Sequence, residues 1–93
     1  VEKPIANPDI LLREEFDDWA LLFNPNTGKG FGINPVGVFV WKLLDGKHSV
    51  NDIVEEVRKN FRNVPDNVDE EVKRFVAALS ENGLVVYELS GED

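Results

Sequence analysis

The chain has 93 residues, a net charge of −8 and no cysteine, and 42% of its residues are hydrophobic. That length supports one folded domain with a modest core, and the charge disfavours nucleic acid and anionic membranes, both of which are held by clustered lysine and arginine. The missing cysteines remove disulfides, thiolate metal sites and cysteine catalysis. With no apolar run of membrane-spanning length and no secretory signal, the composition permits a cytoplasmic address.

Residues 1 to 9 carry two prolines and little pattern, and read as an extended lead-in. Ile10 to Phe16 has helix-favouring composition, but it is short and stands one Asp-Asp turn before the next run, so hairpin logic makes it the first of three antiparallel strands. Trp19, Leu21 and Phe23 alternate with Ala20, Leu22 and Asn24, the period of two of a second strand. Asn24-Pro25-Asn26-Thr27-Gly28 has turn chemistry. The third strand, Lys29 to Ile33, puts Lys29, Phe31 and Ile33 on one face and only Gly30 and Gly32 on the other. A strand with one bare face implies either a bulge or the close approach of another backbone.

Asn34 is a good N-cap and Pro35 suits the first helical position. Val36, Phe39, Val40, Leu43 and Leu44 form one apolar stripe, with Asp45-Gly46 as the expected stop. Val38 and Trp41 lie off that stripe and are expected to widen the buried arc. Ser49 caps a second helix with Asp52 in a capping box, and Val50, Ile53, Val54, Val57 and Phe61 line its core side. After a connector containing Pro65, Asn67 and Glu70 suggest a second capping box. Val68, Val72, Phe75, Val76 and Leu79 form the third helix's buried stripe, closed by Asn82-Gly83. Leu84 to Glu88 is a short β-like run, and Leu89 to Asp93 reads as a frayed tail. The whole is one α+β domain over 1–93 with its core at about 8–88. It is a winged helix-turn-helix-like layout of a three-stranded antiparallel sheet followed by three helices.

Catalytic and metal-binding groups are sparse. His48, the only histidine, lacks a second ligand at metal-site spacing. Glu14, Glu15, Asp17 and Asp18 read as a solvated turn, and Asp69, Glu70 and Glu71 as acids favoured by a helix N-terminus. Gly28-Lys29-Gly30-Phe31-Gly32 lacks the frame of a phosphate loop and its closing Lys-Ser/Thr. Neither a catalytic residue nor a cofactor or metal is expected.

The exposed third strand is a better candidate. It has one lysine, no internal proline and no charge after Gly30, so it is scarcely protected against pairing. An extended peptide adding there would gain affinity from backbone pairing and specificity from side-chain pockets. With Phe31 as a donor, Phe31→Pro would abolish capture. Helical projection puts Glu71, Arg74 and Ala78 on one flank of the third helix, as a second wall. The candidate site is therefore Lys29, Gly30, Phe31, Gly32 and Ile33 with Glu71, Arg74 and Ala78. The alternative is a winged-helix nucleic-acid-binding or regulatory domain. Its recognition helix would carry Asp69, Glu70, Glu71 and Glu81 against Lys73 and Arg74, a net of −2.

The Trp19-Ala-Leu-Leu-Phe23 strand, the Gly32-Ile-Asn-Pro35 helix start, Val40-Trp-Lys-Leu-Leu-Asp-Gly46, Ser49-Val-Asn-Asp-Ile-Val54 and the late Val72…Phe75-Val…Leu79…Gly83-Leu-Val85 together resemble the PqqD family of pyrroloquinoline quinone biosynthesis. They also resemble the wider class of recognition elements for ribosomally made, modified peptides. The resemblance covers roughly residues 5 to 87. It implies three strands followed by three helices, no catalysis, and capture of a precursor peptide's leader between the third strand and the third helix. It further implies delivery to a partner enzyme, often a radical S-adenosylmethionine (SAM) enzyme. A monomer or homodimer fits equally.

Overall fold

A computed structural model describes residues 2–87, so the expected frayed tail lies outside the described residues. In chain order the elements are β1 (Pro4–Ala6), β2 (Leu11–Glu14), β3 (Ala20–Asn24), β4 (Lys29–Ile33), α1 (Pro35–Lys42), α2 (Val50–Asn60), α3 (Val68–Glu81) and β5 (Val85–Tyr87). The three strands and three helices read from the sequence are β2 to β4 and α1 to α3. They form an antiparallel sheet of order β2-β3-β4 followed by the helical triad.

The lead-in does more than extend. Its β1 pairs antiparallel with β5, Pro4 opposite Tyr87 and Ala6 opposite Val85, making a separate two-stranded sheet. Ala6 N–H donates to the Leu44 carbonyl at 2.8 Å, Gly46 N–H to the Pro4 carbonyl at 3.1 Å and Asn7 N–H to the Leu84 carbonyl at 2.9 Å. Proline is tolerated at the first position of a strand. Two prolines in nine residues therefore concealed a strand whose partner lies some eighty positions away.

The alternation in β3 is apolar on both faces, and the structure buries Ala20 and Leu22, the latter at 0% exposure. Across the sheet Leu22 stands between Leu12 and Phe31, while Ala20 stands between Glu14 and Ile33. Below this face lie Val38, Val40, Trp41 and Leu44 of the α1 region, Ile53, Val54 and Val57 of α2, and Val68, Val72, Val76 and Leu79 of α3. Val38 and Trp41 are both buried, as the widened arc required. Phe39 meets Phe61 edge-to-face at 5.2 Å, tying the middle of α1 to the end of α2.

The helix ends follow local chemistry, with two departures. Asn34 Oδ1 accepts from Gly37 N–H at 2.8 Å and caps α1. Ser49 and Asp52 form the full reciprocal box, at 3.1 Å and 3.0 Å. Gly83, at φ +75°, closes α3: its own N–H donates to the Ser80 carbonyl and that of Leu84 to the Leu79 carbonyl, the paired pattern of a glycine cap. The first departure is that α1 stops at Lys42, before Asp45-Gly46, because Leu44 and Gly46 give their backbone groups to β1. The second is that Asn67 makes no side-chain cap. Its backbone, at φ −96° and ψ 26°, is not in the extended conformation from which a capping side chain reaches the first-turn amides.

Two predictions follow from this packing. Leu22→Ala empties the centre of the sheet–helix contact and should cost about 2–5 kcal/mol, read from urea midpoints. The Asp52 carboxyl titrates below its ordinary value because Ser49 N–H donates to its ionised form. The stabilisation is therefore present above the unfolded value of about 3.9 and lost as pH falls through the folded one. Asp52→Ala should lower the urea midpoint near neutrality, and the gap to wild type should close on acidification below about pH 4.

Candidate functional site

The phase of the three-stranded sheet decides which backbone groups of β4 are free. Within a strand the N–H and C=O of one residue point to the same side, and consecutive residues alternate. Glu15 N–H donates to the Trp19 carbonyl at 2.7 Å, so Trp19, Leu21 and Phe23 turn their backbone groups toward β2. Ala20, Leu22 and Asn24 consequently serve β4, and the Asn24 carbonyl does accept from Gly28 N–H at 2.8 Å in the connecting turn. Their partners are Ile33, Phe31 and Lys29. The groups directed away from the sheet thus belong to Gly30 and Gly32. Phe31 donates inward, so Phe31→Pro would break the sheet's own ladder rather than an external contact, which corrects the sequence-based expectation for that substitution.

The register of β3 with β4 runs without interruption from Asn24–Lys29 to Ala20–Ile33. This resolves the glycine question against a bulge, which would add an unmatched residue. Because β4 is the last strand in the order β2-β3-β4, no described strand covers its outer edge. A Cβ on Gly32 would meet nothing within 4 Å, while one on Gly30 would come to 3.2 Å from Leu21 Cδ1. Among the described residues, the two positions of β4 whose backbone groups have no strand partner are also its two glycines.

The second wall starts where β4 ends. At Gly37, in the first turn of α1, an added Cβ would lie 3.1 Å from Ile33 Cβ and 3.3 Å from Phe75 Cζ. Phe75 of α3 therefore reaches the junction of β4 and α1. Glu71, Arg74, Phe75 and Ala78 fall within about 100° of helical arc, and Glu71, Arg74 and Ala78 line one exposed depression with Phe75, Ala77 and Glu81. Beside it, sharing Glu71 and Phe75, is a cavity of about 270 Å³ between the start of α1, the α2–α3 connector and α3. Val36, Phe61, Val64 and Val72 make its wall largely apolar, and Asn34 and Arg62 stand among its polar lining groups.

The eight sequence-derived candidates lie on two elements, Lys29 to Ile33 on β4 and Glu71, Arg74 and Ala78 on one flank of α3, and the link between the two runs through Ile33, Gly37 and Phe75. Ile33 is the exception in exposure, since its side chain is buried and contributes to the core. Sequence reasoning missed Phe75 as the hinge of the two depressions, having placed it in the buried stripe; it is only half-buried. It also missed the pocket formed by Val36, Phe61 and Val64. The signal available was Phe75's position at the margin of the stripe, adjacent to Arg74.

Outside this region the described residues contain no cluster of three or more metal-ligating side chains. His48 Nδ1 lies 3.0 Å from Asp45 Oδ1. That contact, followed by the Lys47 N–H, holds the Asp45 carboxyl below its usual range. No helix among the described residues is long and apolar enough to cross a membrane.

Comparison with known proteins gives a consistent picture. A sequence model of the family described as coenzyme PQQ synthesis protein D (PqqD) matches residues 20–85. A search of curated sequences finds no match. Among solved structures, the chain is similar to TbiB1 in complex with the TbiA(beta) leader peptide, with a TM-score of 0.71, 23% identity, and coverage of 87% of this chain and 93% of that one. It is also similar to a lasso peptide synthetase B1 complexed with the leader peptide, with a TM-score of 0.73, 18% identity, and coverage of 90% and 98%. The heterocyclase TruD matches 98% of this chain over 12% of its own length, with a TM-score of 0.66 and 12% identity. At these identities the structural likeness establishes the fold.

The Gly37 contact is directly testable. Gly37→Ala gains up to about 1 kcal/mol of helix propensity, but overpacking against Ile33 and Phe75 costs about 1–3 kcal/mol. The expected result is a net loss in urea unfolding, accompanied by shifted Phe75 ring resonances.

Proposed function

The chain belongs to the PqqD family, and we propose that it is a non-enzymatic binder of the leader segment of a ribosomally made precursor peptide. The leader adds as a fourth strand at β4 and leans against α3. The observation that supports this most directly is the outward phase of Gly30 and Gly32, which offers donors and acceptors on an edge that no described strand pairs. Strand addition supplies affinity through those groups, and alternate ligand side chains supply specificity. The incoming side chains on the solvent face stand beside Gly30 and Gly32, with Leu21 reaching over Gly30. Those on the opposite face are directed toward α3, where the 270 Å³ cavity suits one bulky apolar side chain and Glu71 and Arg74 flank polar ones.

The two similar structures solved with leader peptides bound support the reading. In this role the protein presents the captured peptide to a modifying enzyme, a radical SAM enzyme in the reading made from the family resemblance. The site residues in this proposal are Lys29 to Ile33, Glu71, Arg74 and Ala78, with Phe75 added. The nucleic-acid alternative is the weaker one, since α3 presents Asp69, Glu70, Glu71 and Glu81 to a phosphate backbone that basic residues must neutralise.

The test is titration with the leader of a short precursor peptide encoded beside this chain, followed by amide NMR. Shifts are expected at residues 29–33 and 71–78. Gly32→Pro, which removes an outward donor while leaving the inward ladder, should weaken binding at least about tenfold, the loss of about 1.4 kcal/mol. Backbone N-methylation along the leader should weaken binding at every second residue. A flat titration, or a methylation profile without alternation, refutes strand addition.

A further inference from the structure

The face of the β2-β3-β4 sheet opposite the helices is uncovered among the described residues, and it is not polar. By register, Leu11, Arg13, Leu21 and Phe23 share it with Gly30 and Gly32. Trp19, just before β3, continues it. Leu11 is 55% exposed and Trp19 53%, and Phe16 at the β2–β3 hairpin tip is 79% exposed. Scattered exposed apolar residues are ordinary, but three of the four large exposed ones in the described chain fall on this single wing.

The surround is acidic. Glu15, Asp17 and Asp18 stand at this end of the hairpin with Arg13 as the only cation, three negative charges against one positive, while Glu14 lies on the helix-facing side of the sheet beside Ala20. Glu15 is 3.4 Å from Arg13, and Glu14 is 3.1 Å from Lys42 of α1. Asp17 and Asp18 take part in no ion pair among the described residues. An apolar centre with aromatic anchors and a charged rim has the anatomy of a protein interface. The sign of the rim selects the partner: a second copy would set acid against acid, and nucleic acid or an anionic membrane would be repelled, whereas a basic rim would be attracted.

We propose that this wing face docks a protein partner whose apolar patch is bordered by lysine and arginine, and that the partner is the peptide-modifying enzyme. The identity of the partner rests on the leader-binding function proposed above; the surface itself does not. Because β2 lies two strand spacings, about 10 Å, from the β4 edge, enzyme and leader are held side by side on one sheet without sharing Leu11 or the hairpin tip.

The experiment measures two affinities on each variant of the full chain: for a fluorescent synthetic leader, and for the purified modifying enzyme encoded with it by biolayer interferometry. Trp19→Ser with Phe16→Ser, and separately Asp17→Lys with Asp18→Lys, should each weaken enzyme binding at least tenfold and change leader affinity less than twofold. Enzyme binding to the wild type should also weaken as salt rises. Gly32→Pro should do the reverse, losing leader and keeping enzyme. Unchanged enzyme affinity in both wing variants overturns the proposal, as does a wild-type dimer in sedimentation that Trp19→Ser dissociates. A wild type that binds enzyme through the wing but binds no leader upholds this surface while refuting the leader-binding function.

Discussion

The molecule depends on a single asymmetry of pairing. Among the described strands β3 is paired on both sides, whereas β4, like β2 at the opposite margin, is paired on only one. Everything that positions the site serves to keep that half-paired strand straight, exposed and unslipped. Leu22 pins the register from the centre of the sheet, where a shift of one residue would exchange the buried face for the solvent face. Asn34, immediately after Ile33, turns the chain into α1 and locks the end of β4 against the helical layer.

The far wall is set by packing rather than by hydrogen bonding. α3 is anchored through Val68, Val72, Val76 and Leu79, leaving Phe75 partly exposed on the margin of that stripe. Gly37 permits the approach, since a Cβ there would press on Ile33 at 3.1 Å and on the Phe75 ring at 3.3 Å. One glycine and one phenylalanine therefore join the end of β4 to the shallow, partly apolar recess beside α3.

Most of this was legible in the residues because the local rules agree with one another. The proline after Asn34, the Ser49–Asp52 pair and the Asn82-Gly83 stop each have a local physical cause, and each appears as read. The open edge was legible because Lys29 to Ile33 lacks the charges and prolines that normally blunt edges. What stayed hidden depends on distant partners. β1 exists only through β5 and the end of α1, and α1 is shortened by that same contact. The side on which β3 is buried could not be chosen from an alternation apolar on both faces, and the outward phase of the glycines needed the hairpin hydrogen bonds. Asn67 failed as a cap for a conformational reason that no residue type reveals.

The small β1–β5 ribbon has an architectural consequence. It brings Pro4 and Tyr87 to adjacent positions, so the first and last described strands run antiparallel at one margin of the fold. A unit whose entrance and exit are neighbours can be grafted into the loop of a larger polypeptide, or tethered to it by a short linker, without stretching either protein. Changing the covalent wiring alone would then suffice to move such a unit between hosts.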